Sequence, residues 1–143
     1  MKVFLVVLAI VITAIAFILM DKCYRRFCIA RLMKKRQCLT HEEMLAFYEL
    51  TDFSPTDILE RWFEVADIFG VSAGYLRPSD QLDKIVTLSF FTDDRVEDIS
   101  DRAIELNKIL GLSLELEMMR TLDDYITAFS SKNVKPSDTR SID

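Results

Sequence analysis

The first pattern along the chain is an 18-residue run without a charge, residues 3–20 (VFLVVLAIVITAIAFILM), in which Thr13 is the only hydroxyl. As a helix it spans about 27 Å, close to the hydrocarbon thickness of a bilayer. Beyond residue 40 the apolar positions take up helical spacing. Thr40 opens a capping box with Glu43, and MLAFYEL follows, which predicts a helix over residues 41–50. Ser54-Pro55-Thr56-Asp57 is a second start signal, with Ser54 as cap, Pro55 in the first turn and an acid at the positive helix end. Ile58, Leu59, Trp62, Phe63, Val65, Ala66 and Phe69 then form one broad apolar face, and Gly70 stops the helix. Trp62 at this spacing reads as core.

Residues 71–92 have no helical period but hold two apolar clusters, Tyr75-Leu76 and residues 85–91. A loop this long in a small domain is usually functional or packed down by its own side chains. It is expected to lie over the helices, with room for a single helical turn. Asp93-Asp94 opens the longest body helix, to about Leu110, with Val96, Ile99, Ala103, Leu106 and Leu110 on one stripe. Gly111 ends it, a short segment covers 114–119, and Thr121 with Asp124 caps a last helix, LDDYITAF. The pattern predicts an all-α chain. Residues 1–21 form a transmembrane anchor, 22–39 a basic juxtamembrane segment, 40–130 a small four-helix domain, and 131–143 a disordered polar tail.

Charge sharpens this division. Lys22, Arg25, Arg26, Arg31, Lys34, Lys35 and Arg36 follow the apolar run with no acid among them, whereas from residue 37 onward acids outnumber bases 22 to ten. Positive residues stay on the cytoplasmic side, so the acidic body is expected in the cytosol. The predicted location is a bacterial inner membrane, crossed once. The basic collar is a topology signal, and contact with anionic headgroups is a compatible second role. Residues 28–33 (CIARLM) are apolar enough to continue the helix along the membrane surface. A cleaved secretory signal fits less well: the run is longer than the usual h-region, only Lys2 precedes it, and no small-x-small site follows. An acidic body repels nucleic acid phosphates, so no nucleic acid partner is expected.

Candidate chemistry changes little. Cys23, Cys28 and Cys38 have no metal-ligand spacing, so they are expected as free thiols. His41, the sole histidine, reads as a solvated first-turn residue. Glycine occurs only at 70, 74 and 111, so there is no phosphate-cradling loop, and no nucleophile–base pair is apparent. No catalytic residue, cofactor, metal or small-molecule substrate is expected.

The segments DILERWFEVADIFGVSAGYLRPSDQLD and GLSLELEMMRTLDDYITAF, within residues 55–130, resemble acyl carrier proteins. The shared order is helix, long ordered loop, helix, short helix, Thr-capped helix. The likeness is greatest to divergent acyl-carrier-like proteins of enteric bacteria. It implies a four-helix carrier fold whose second helix docks basic partner enzymes through an acidic side. Here that side carries Asp94, Glu97, Asp98, Asp101 and Glu105. It also implies an Asp-Ser-Leu whose serine bears phosphopantetheine. This chain reads Asp93-Asp94-Arg95-Val96 at that place, and a guanidinium cannot replace a hydroxyl as phosphoryl acceptor. The expected function is therefore a membrane-tethered, carrier-shaped interaction module for a protein with a basic surface. The alternative is a genuine acyl or peptidyl carrier with an atypical attachment serine. Charges alone suit a solvated helix face equally well.

Overall fold

The computed structural model describes residues 2–86, 94–115 and 119–132. Among the described residues there are six α-helices and one 3-10 turn: α1 (Lys2–Lys35), α2 (His41–Ala46), α3 (Pro55–Phe69), the 3-10 turn (Ala73–Tyr75), α4 (Leu82–Val86), α5 (Asp94–Leu110) and α6 (Leu122–Phe129), so that the body holds five described helices where four were expected. Among the described residues there is no strand, only isolated bridges pairing Phe53 with Lys132 and Gln81 with Thr121.

The apolar run and the basic collar form one unbroken helix. Its 34 residues extend about 51 Å, well beyond the thickness of a bilayer core. Phe4, Ile10, Ile15 and Leu19 are all more than half exposed, and α1 is long and apolar enough to cross a membrane. In its last turns Ile29 and Leu32 pack against the body's core. The cause is apolar side chains at helical spacing in the collar, which find a protein surface to cover.

In the body, α3 is the central helix, flanked by α2, α5, α6 and the 3-10 turn. Trp62 and Val65 on α3 and Leu122, Tyr125 and Ile126 on α6 are fully buried, with Ile58, Phe69 and Ala103 nearly so. The Trp62 indole donates to the Ala73 carbonyl at 3.0 Å, which anchors the 3-10 turn. Gly70 closes α3 in the left-handed conformation (φ 65°), and its N–H reaches Ala66 and Asp67. Phe63, expected on the apolar face, is 42% exposed and meets His41 edge-on. On α5, Ile99, Ala103 and Leu106 are buried, but Val96 and Leu110 at its ends are exposed.

The capping expectations meet two outcomes. Thr40 with Glu43 and Thr121 with Asp124 form complete capping boxes. Ser54 takes the N-cap position of α3 without a side-chain cap bond; Asp57, one turn in, instead binds the chain beyond α6. The helix expected over 41–50 ends at Ala46. Residues 47–50 turn so that Tyr48 is buried, its hydroxyl donating to Asp123 at 2.9 Å. The expected short segment at 114–119 is irregular where described, and 116–118 lie outside the described residues. So do 87–93, which hold Ser89 and most of the second apolar cluster, and 133–143, most of the expected tail.

The start of that tail is tied down. Ser131 donates from its backbone N–H (3.0 Å) and from its hydroxyl to Asp57, and these bonds hold the Asp57 carboxyl below the usual carboxylate range. A depressed folded pKa contributes stability that is present above the unfolded value near 3.9 and is lost as pH falls through the folded value. Asp57 is partly exposed, so the effect is a fraction of a kcal/mol. Asp57→Asn is expected to soften the acid limb of the melting curve below pH 4 and to leave neutral stability slightly reduced. Calorimetry from pH 7 to pH 3 checks it; an identical acid limb would count against the contact.

Candidate functional site

Three features lie on the body: the acidic side of α5, a cavity against the core-facing side of the same helix, and a polar junction where the collar meets the loop after α3. Of the five acids expected on the docking side, Glu97, Asp98, Asp101 and Glu105 are exposed on α5; the Asp94 side chain lies outside the described residues, although its backbone begins the helix. Arg102 separates them into two groups. It donates to Glu105 at 2.5 Å and, through Nε, to Glu64 on α3. Glu64 also takes the Arg61 guanidinium at 2.7 Å and the Tyr125 hydroxyl at 3.2 Å. This network joins α3, α5 and α6, and the carboxylates beside Arg102 raise its pKa further above the usual arginine range. Burial, with Glu64 beside it, pushes the Tyr125 phenol well above its ordinary value. Glu105 is therefore partly neutralised, whereas Glu97, Asp98 and Asp101 have no ion-pair partner among the described residues.

These acids are arranged at some cost. Glu97–Asp101 and Asp101–Glu105 are like-charge pairs at i,i+4 spacing, each destabilising by about 0.2–0.5 kcal/mol. Asp94, Glu97 and Asp98 stand in or beside the first turn, where the helix dipole offsets part of that repulsion. Asp101 lies beyond this compensation.

Against the other, core-facing side of α5 is a cavity of about 440 Å³. Phe69 on α3, Leu82 on α4, Ile99 and Ala103 on α5 and Met119 give it apolar walls, and Gln81, Asp83, Ser100 and Arg120 give it a polar side. Sequence reasoning did not find the cavity. Its walls come from four separated segments, and only the apolar spacing on α5 hinted at one of them.

The junction was also missed. Arg36 grips Asp80 with two hydrogen bonds of 2.6 and 2.7 Å and donates to the Tyr75 carbonyl at 2.9 Å. Asp80, 9% exposed, also accepts from the Arg77 backbone N–H at 2.8 Å. The Asp80 bond raises the Arg36 pKa, so the cation persists at any physiological pH. Leu39 N–H bonds the Gly74 carbonyl at 2.9 Å, and a Cβ at Gly74 would stand 2.5 Å from Cys38 Sγ and 2.7 Å from the Leu39 carbonyl. Glycine is required there by the close crossing of two chain segments. The Pro78-Ser79-Asp80 turn was the available signal, but nothing in sequence pointed Asp80 at a residue 44 positions earlier.

No group of three or more His, Cys, Asp or Glu side chains among the described residues could hold a metal ion. All three cysteines are free, and His41 is exposed against Phe63. No protein-family model, no curated protein and no solved structure matches this chain.

Proposed function

We propose that this chain is a single-pass membrane protein whose cytoplasmic body is an acyl-carrier-like interaction module, free of phosphopantetheine, that docks a basic protein surface through α5. The observation that carries this reading is the exposed trio Glu97, Asp98 and Asp101, unneutralised among the described residues and set at repulsive spacing. A basic partner relieves that repulsion through complementary charge. The carrier-like order of elements and the missing serine at Arg95 support the same reading. The unbroken helix from Lys2 to Lys35, packed onto the body at its far end, suits a retained anchor.

The test is a triple reversal, Glu97→Lys, Asp98→Lys and Asp101→Lys. The partner is first captured from native membranes by a photo-cross-linker at Ile104, which is 54% exposed on the same helix. The reversal is expected to abolish that cross-link and to change folding stability by about 1 kcal/mol or less, since losses at the helix dipole and gains from relieved repulsion oppose each other. A folded triple mutant that yields the same cross-linked product would reject this face.

A further inference from the structure

A second cavity, of about 490 Å³, lies between the last turns of α1 and the segment leading into α4. Arg31 and Lys35 on α1 and Lys84 on α4 line it with positive charge, and Leu32 and Ile85 supply apolar wall. Residues 28, 31, 32 and 35 recur at helical spacing, so the cavity runs along one face of the helix. Among the described residues the only acid lining it is Asp80, which Arg36 already neutralises through its paired bonds. Arg25, Arg36, Arg61 and Arg102 are committed to carboxylates, whereas Arg31 and Lys35 form no ion pair among the described residues. The result is a cationic cleft with an apolar side, a shape that suits an amphipathic anion.

Its height along α1 selects the anion. The apolar run ends at Met20, and Cys28 and Arg31 stand eight and eleven residues further along the same helix. These steps correspond to about 12 and 16 Å. The headgroup layer reaches roughly 5–8 Å past the hydrocarbon. Helical Cα–Cβ bonds tilt toward the N-terminus, here the membrane, and an arginine side chain extends most of the remaining way. An average helix tilt brings the cleft lower still.

We propose that this cleft binds the phosphate headgroup of an anionic phospholipid from the bilayer that α1 crosses, an inference that rests on the reading of α1 as a membrane anchor. Arg31, nearer the membrane than Leu32 and Lys35 on the same helix, offers its planar fork to the phosphate, and Lys35 raises the local positive potential. A lipid held there would fix the tilt of the body, and with it the direction in which α5 faces.

The experiment uses the full chain in phosphatidylcholine nanodiscs doped with phosphatidylglycerol, with retained lipid counted by native mass spectrometry. One tightly retained phosphatidylglycerol is expected. Arg31→Gln with Lys35→Gln is expected to weaken its retention roughly tenfold or more. Arg26→Gln with Lys22→Gln, which removes two exposed collar charges away from the cleft, is expected to leave it unchanged. Equal loss in both pairs would mean general attraction by the collar and would overturn the site. Displacement of the lipid by millimolar glycerol phosphate would overturn the lipid assignment in favour of a soluble phosphate ester. Carbonate extraction of the same proteins separates the two premises: a chain that is extracted fails as an anchor, whereas an integrated chain that retains no lipid fails at the cleft alone.

Discussion

Replacing Trp62 with alanine is expected to lower the stability of the body by about 3–5 kcal/mol, the usual range for removing a buried tryptophan. The side chain is completely buried, and Tyr48 meets it edge-on with ring centres 6.3 Å apart. Two losses combine. The cavity left behind cannot be filled by its neighbours, because they come from different elements whose positions Trp62 itself sets. The Ala73 carbonyl also loses its donor inside the core, which adds about 1 kcal/mol or more. Small domains have roughly 5–15 kcal/mol of net stability, so the variant should be marginal at growth temperature. Trp62→Phe restores most of the volume but not the hydrogen bond and should fall between. Denaturant titration followed by circular dichroism checks the order. An alanine variant with an unchanged midpoint would refute the register of α3.

The second large effect is expected at Asp80. Asp80→Ala removes both bonds to Arg36 and the acceptor for the Arg77 N–H, and leaves a half-buried guanidinium without its carboxylate. Breaking such a pair from one side typically costs about 3–5 kcal/mol when buried; with Arg36 29% exposed, about 2–4 kcal/mol is expected. The consequence extends beyond stability. Leu122 N–H bonds the Asp80 carbonyl and Asp123 N–H the Pro78 carbonyl, so the same turn holds the start of α6. Freed from Arg36, the body should pivot on α1, and amides of residues 76–81 should exchange faster. Arg36→Ala should produce the same exchange pattern, and the double mutant should cost less than the two single losses combined. Fully additive losses would show that the two side chains act independently.

These two residues also show what the sequence revealed and what it hid. Trp62 was legible because a helix places apolar residues at a fixed period, and Ile58, Trp62, Val65, Ala66 and Phe69 keep it without interruption. The caps at Thr40 and Thr121 were legible for a similar reason, since a capping box closes within four residues. The Arg36–Asp80 clamp was not, because it joins a topology-like basic run to a loop turn, and each half has an ordinary local explanation. The early end of α2 at Ala46 was hidden in the same way. Helical spacing continued to Leu50, but Tyr48 gains burial and a bond to Asp123, 75 positions away, and that tertiary gain outweighs local propensity. For α5 the acids were legible one by one. Their division by Arg102 was not, because it depends on Glu64 standing opposite on α3.

A carrier-shaped but unarmed body, as proposed, has one decisive readout: the intact mass of the full chain purified from its native membranes. The expected value is that of the unmodified polypeptide with its N-terminal helix retained. A species heavier by one phosphopantetheine, mapped to Ser89, Ser100 or any other serine, would contradict it and make the protein a tethered carrier.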